Sequence, residues 1–227
     1  MRSARPALAR ALGESLLTAG VVVILFGVYQ LYWTNLAAAD ARRELTADVR
    51  RSWDRALAPV PDPGRQPGQP APGEGLALLH ITRLGAGWVQ PVVQGTGASA
   101  LARGVGHYAQ TALPGQVGNF AMAGHRATHG EPLRDLQRMR TGDAVVVETR
   151  EAWFTYAVRA DPVVVEATAT QAIAPRPGEV GAASAQRLLT LTTCHPRWSS
   201  DKRMIVHATL VASRPRAAGS PPALAGT

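Results

Sequence analysis

Cys194 is the only cysteine among 227 residues, and it ends the run Leu188-Leu189-Thr190-Leu191-Thr192-Thr193. A thiol attacks as its thiolate. At an ordinary pKa of about 8.5 it therefore needs a base or a cation close by. His125, in Ala123-Gly124-His125-Arg126-Ala127-Thr128-His129-Gly130, follows an apolar run through a glycine. That places it at a strand end, where a rigid scaffold presents functional groups. Gly106-His107-Tyr108 offers a second histidine. Arg203 opens the apolar run Met204–Val211 and supplies the cation that an oxyanion requires. Arg197 lies nearer in sequence, but in a loop with Pro196 and Trp198. His129 stands four residues beyond His125, a spacing that binds metal on a helix. Gly130 and Pro132 oppose a helix there, and no Glu follows His125 as it does in zinc proteases, so no metal site is expected. His80, His195 and His207 read as ordinary, although His207 shares a strand face with Arg203.

These groups need strands to hold them. Side chains alternate between the two faces of a strand. Leu189 and Leu191 share one face; Thr190, Thr192 and Cys194 share the other. A buried structural cysteine would fall in with the leucines, so the pattern favours a reactive one. Runs rich in Val, Ile, Leu and Thr predict strands at Leu76–Ile81, Trp88–Val93, Asn119–Ala123, Ala144–Thr149, Phe154–Val158, Val163–Ala167, Leu188–Thr193 and Met204–Val211. Gly and Pro turns at close spacing between them indicate a mainly all-β sandwich or barrel. Short helices are predicted near Ala98–Arg103, Leu133–Met139 and Val180–Ala185.

Ahead of this region lies a basic segment, 1–14, carrying Arg2, Arg5 and Arg10. An uncharged apolar stretch within 15–36 follows, close to the ~20 residues that span a bilayer as helix. Tyr29, Tyr32 and Trp33 form an interfacial belt, and the preceding arginines place the N-terminus inside. A cleavable signal with Ala37-Ala38-Ala39 as its cleavage site is the alternative. The apolar run exceeds the usual h-region, which favours a retained anchor. Either way the remainder faces an oxidising compartment, where a lone thiol stands out. Residues 37–74 read as a stalk, first alternating Ala with charge, then Pro/Gly-rich from 59. The folded domain runs over 75–213, and 214–227 is expected to be a disordered tail. The net charge of +8 suits an anionic membrane or wall. Without arginines interleaved with aromatics, nucleic acid is excluded as a partner.

Thr190-Leu191-Thr192-Thr193-Cys194, the Arg203-led strand and Ala123-Gly124-His125 together resemble the sortase family, over about Gly75 to Val211. Gly106-His107-Tyr108 and Thr111-Ala112-Leu113-Pro114-Gly115 resemble its class E, the actinobacterial housekeeping group. The resemblance implies a closed eight-stranded β-barrel with short helices behind one N-terminal transmembrane helix. It implies a cysteine transpeptidase on the outer face of the cell membrane, single-pass, with Cys194 as nucleophile, His125 as general acid/base and Arg203 as oxyanion and substrate clamp. Tyr108, Thr193 and His107 would contact the substrate. The implied substrates are secreted proteins with a C-terminal LAxTG-like (or LPxTG-like) sorting signal, and the acceptor is a peptidoglycan precursor amine. No cofactor is implied, and the acidic clusters that bind calcium in some sortases are not evident.

Two other readings remain at this level. An L,D-transpeptidase shares compartment and nucleophile, but its cysteine follows Gly in a Ser-His-Gly-Cys context, whereas Thr193 precedes Cys194. An anchored metal- or wall-binding domain would use His125, His129, Cys194 and His195 as ligands. The terminal Leu224-Ala225-Gly226-Thr227 resembles the acyl half of a class E motif, and read as a product mimic it would reach into the groove.

Overall fold

The computed structural model describes residues 4–54, 70–85, 87–174 and 186–225. The short helix predicted at Val180–Ala185, and most of the Pro/Gly-rich linker, lie outside these. In chain order come helix α1 (Ala4–Asp54), strands β1 (Gly75–His80) and β2 (Val89–Gln94), and helix α2 (Ala98–Leu101). Strands β3 (Val105–His107), β4 (Gly118–Ala123), β5 (Ala144–Glu148), β6 (Ala152–Val158) and β7 (Val163–Glu166) follow, then the long pair β8 (Arg187–His195) and β9 (Lys202–Pro215).

All nine strands join one sheet in the order β6-β5-β1-β2-β3-β4-β8-β9-β7, and β6 also pairs with β9. That pairing closes a ring of eight strands. β9 is long enough to hold two neighbours on one edge: its second half takes β6 and its first half takes β7. Closure removes the unpaired edges that an open sheet would present. The expected eight-stranded barrel is therefore present. One ring member, β3, was hidden in the sequence because Gly104 and Gly106 look like turn residues. Their role is close approach: a Cβ on Gly104 would sit 2.4 Å from the Pro91 carbonyl oxygen, and one on Gly106 2.4 Å from that of Gly95. The helix expected over Leu133–Met139 is shorter, a single 3-10 turn at Leu136–Arg138.

Alternation sorts the strands cleanly. Phe120, Met122, Leu189, Leu191, Met204, Val206, Ala208 and Tyr156 point inward and fill the barrel. The outward residues meet two different fates. On β1 and β2, Leu78 and Val93 are covered by Leu45 and Val49 of α1, together with Ala100. On β4, β8 and β9 the outward positions are Asn119, Ala121, Thr190, Thr192, Cys194, Arg203, Ile205 and His207. Most are buried too, and Asn119 donates to Ala174 O at 3.0 Å, just after the 3-10 turn Thr170–Ile173.

α1 is one helix where the sequence divided it into anchor and stalk. Residues 7–58 contain no proline to break it. Its apolar window, Ala9–Tyr29, has a mean hydropathy of 2.0 and is not buried by the protein at all. This window begins earlier than the stretch expected at 15–36 and includes the Arg10–Glu14 pair at 2.9 Å. Beyond it, Ala38, Leu45 and Val49 are buried, the last two on the barrel. The stalk is thus partly domain. The tail also departs from expectation. β9 runs on to Pro215, and two 3-10 turns, Arg216–Ala218 and Pro222–Leu224, fold back on the barrel. Arg216 donates to Glu148 at 3.2 Å and lies over the Trp53 ring at 4.9 Å. The Leu224 turn packs against β5, away from the outward face of β8.

Candidate active site

The β8–β9 hairpin puts Cys194 directly across from Arg203. Side chains so paired stand with Cβ atoms about 5 Å apart. Parity puts both on the outward face, as the alternation of leucine and threonine predicted. Cys194 is half-buried and unpaired. The Arg203 Nη1 donates to the carbonyls of Ser200 (2.8 Å) and Lys202 (3.0 Å), which fixes the guanidinium by one end.

His125 arrives from the other side. β4 runs parallel to β8 with Ala123 beside Thr192, so His125 and Cys194 each follow two residues beyond that pair at the same end of the sheet. The junction is tied twice: Gly124 N donates to Thr192 O at 3.0 Å, and Thr193 Oγ1 donates to Gly124 O at 2.8 Å. The His125 ring stacks on His129, centroids 4.7 Å apart at 22°. Burial, and secondarily the positive charge His129 can carry, hold the His125 pKa below its usual 6.5. At neutral pH the ring is then a free base, suited to take a proton.

The turn after His125 is unusual. His129, Gly130 and Glu131 all have positive φ, at 51°, 72° and 49°. For the two non-glycine residues this costs roughly 1–2 kcal/mol each, so surrounding contacts must hold the turn. Arg197 grips both Glu131 oxygens at 2.8 Å, Leu133 N donates to His125 O at 3.0 Å, and Arg42 of α1 donates to Gly130 O at 2.7 Å.

Among the residues expected to contact substrate, Tyr108 is well placed. Its hydroxyl lies 3.3 Å from Thr192 Oγ1, one step from Cys194 on the same face. The other two expectations need correction. Thr193 is buried on the inward face, and its hydroxyl is committed to Gly124. It shapes the site by fixing the β4–β8 junction, not by touching a ligand with its side chain. His107 has no exposed surface, because β3 alternation turns it into the barrel beside Phe120. Its ring nitrogens face Gln94 Oε1 (2.8 Å) and Ala112 O (3.1 Å), so it secures the loop that carries Tyr108. Burial pushes its pKa down to about 4.

One residue escaped sequence reasoning. Arg126, next to His125, is buried, yet its guanidinium reaches four acceptors. Nη1 meets Cys194 O (3.4 Å) and His195 Nδ1 (2.8 Å), Nη2 meets Gln137 Oε1 (3.0 Å), and Nε meets Arg134 O (3.4 Å). Because a guanidinium only donates, His195 Nδ1 must accept, which sets that ring as its Nε2–H tautomer. Arg126 thereby clamps the end of β8 to the turn after β4. Only its place beside His125 could have signalled this. His207, noted for its face, bonds Thr190 at 2.9 Å, four residues before Cys194 along β8. Among the described residues, no three of His, Cys, Asp and Glu are grouped to hold a metal. His195 turns its Nδ1 to Arg126.

A closed barrel whose strand ends bring cysteine, arginine and a neutral histidine to one end of the sheet places the chain in a class of cysteine-bearing β-barrels. Residues 79–211 match the family model of the Sortase domain, and the chain belongs to the sortase family. It is 40% identical to Sortase SrtE1 of Streptomyces coelicolor over 95% of its own length and 60% of that protein's. It thus spans less than two thirds of SrtE1. With Sortase SrtE2 of the same organism it shares 33% identity over 88% of its length and 81% of that protein's. Sortase E of Streptomyces avermitilis superposes with a TM-score of 0.63 at 44% identity, covering 68% of this chain and 99% of that one. Sortase E1 of S. coelicolor, solved with a tripeptide in the active site, superposes at 0.62 with 40% identity, over 69% and 99% of the two chains.

Proposed function

We propose that this chain is a membrane-anchored, class E-like cysteine transpeptidase. It cleaves an LAxTG-like (or LPxTG-like) sorting motif between Thr and Gly, and joins the acyl fragment to a peptidoglycan amine. The observation that carries this is the direct β8–β9 pairing of Cys194 with Arg203, with β4 ending beside Thr192 so that His125 follows at the same end of the sheet. The tripeptide in the active site of the S. coelicolor relative supports a peptide substrate here.

Neutral His125 takes the Cys194 proton. The thiolate attacks the carbonyl carbon of the motif Thr, and the carbonyl oxygen becomes an oxyanion facing the Arg203 guanidinium. Collapse breaks the Thr–Gly bond, and the leaving Gly nitrogen takes the proton from the His125 imidazolium. A thioacyl enzyme remains. The acceptor amine attacks this thioester, gives its proton to His125 and forms the new amide, and Cys194 leaves as thiolate and recovers its proton. Tyr108, at the groove beside Thr192, contacts the second motif residue and favours Ala there. The Ala9–Tyr29 window spans the membrane with its N-terminus inside, leaving the barrel outside to meet secreted substrates.

The test is mass spectrometry of the full chain in detergent with an LAETG peptide and a small amine. Cleavage after Thr, with the acyl group on Cys194 or on the amine, is the expected result. Reaction with LPETG alone overturns the Tyr108 preference. No reaction with either peptide, from folded protein, overturns the activity.

A further inference from the structure

We infer that the membrane-side helix belongs to the catalytic apparatus, with Arg42 acting as a positioning residue for the turn that carries His125. This rests on the reading of His125 as the acid/base.

Ala38, Arg42, Leu45 and Val49 follow one another at spacings of four, three and four, so they share one face of α1. Three of the four are buried apolar residues, and two of them, Leu45 and Val49, are seated on the barrel. Leu45 and Val49 lie against Leu78, Val93 and Ala100. Val49 reaches so close to Gly75 that a Cβ there would lie 2.1 Å from it. An arginine inside such a stripe has a restricted reach, and here it is spent on the far turn. Nη1 donates to Gly130 O at 2.7 Å, with Gln90 Oε1 at 3.5 Å on its other side. The guanidinium also packs on the Gly130 α-carbon, since a Cβ there would lie 2.5 Å from it.

Gly130 is the middle of the three left-handed residues. Its predecessor, His129, stacks on His125. The barrel secures this turn at Glu131, through Arg197. Arg42 secures it at Gly130 from the opposite side. Without Arg42 the turn keeps one of these two grips and the His129–His125 stack is free to shift. Displacing a reacting group by about 1 Å costs up to 10²-fold in rate.

The experiment uses the full chain in detergent micelles. Arg42→Ala should lower kcat roughly tenfold or more while KM changes less than about twofold. Arg42→Lys, which keeps a donor, should recover most of the loss. In proton spectra the ring C2–H signals of His125 and His129 should move in Arg42→Ala, whether or not any peptide is turned over. Unchanged kcat with unmoved ring signals overturns the inference. So does a kcat loss that tracks a fall in Tm and is not recovered by Lys, because Arg42 would then matter only to folding. If the wild-type protein turns over neither peptide, the proposed activity falls, and the ring signals alone decide whether Arg42 positions the turn.

Discussion

The barrel has two outer faces that obey the same alternation and end differently. On β1 and β2 the outward residues are Leu78 and Val93, sealed under α1. On β4, β8 and β9 they include Asn119, Thr190, Cys194, Arg203 and His207, of which Thr190 Oγ1 meets Asn119 Oδ1 and His207 Nδ1, each at 2.9 Å. The inward residues, nearly all apolar, carry the core in both regions. The outward residues of this second face are mostly buried as well, and only toward the strand ends, at half-buried Cys194, is a group left open for chemistry. The helix-covered face contributes stability, and the polar face carries the candidate reactive groups.

Substitutions on the two faces should separate along that line. Cys194→Ala should abolish acyl transfer, and Arg203→Ala should cost about 10²–10³-fold in kcat. Neither should move the urea midpoint appreciably. A large loss of stability in either would erase the distinction. On the covered face, Leu78→Ala should cost about 2–5 kcal/mol of stability, read as a lower urea midpoint, because it empties a site closed by Leu45 and Val49.

His107 sharpens the comparison from inside the barrel. Its pKa falls from an ordinary 6.5 to about 4 on folding, so below pH 6.5 the unfolded chain binds a proton that the folded one refuses. The associated stability is whole above pH 6.5 and lost as pH falls toward 4, up to about 3 kcal/mol. Unfolding titrations of wild type and His107→Gln should converge over that window. Curves that stay parallel would show that His107 does not titrate this way.

The smallest effect concerns His129. Replacing it with Gln removes the like charge that helps depress His125. The acid limb of the kcat/KM profile should then move upward by less than about one pH unit. A downward shift would mean that the stack supports His125 as an imidazolium.

The candidate triplet Cys194, His125 and Arg203 was legible because period-two alternation and strand ends are local signals. Leucine and threonine sorted the faces of β8, a glycine announced the end of β4, and Arg203 opened β9. What escaped depends on partners distant in sequence. His107 read as a site residue because β3, at three residues, is too short to show which way it faces. Thr193 reads as a neighbour of Cys194, yet a strand turns neighbours to opposite faces. Arg126 looks like a surface charge until the turn after β4 folds over it. The tail from Arg214 lacks periodicity because 3-10 turns and one arginine bridge, Arg216 to Glu148 and Trp53, hold it in place of a core stripe.

The unbroken course of α1 also sets a height. On the proposed membrane reading, with Tyr29 at the bilayer surface, a straight helix at 1.5 Å per residue lifts Arg42, and with it the turn after β4, roughly 20 Å above the lipid. The proposed enzyme would then work as a fixed gauge. On that reading a substrate still tethered in the bilayer by its C-terminal segment would be cut only if the chain between its cleavage point and the lipid spans that height. Selection among substrates would thus follow the length of the tether as well as the letters of the motif.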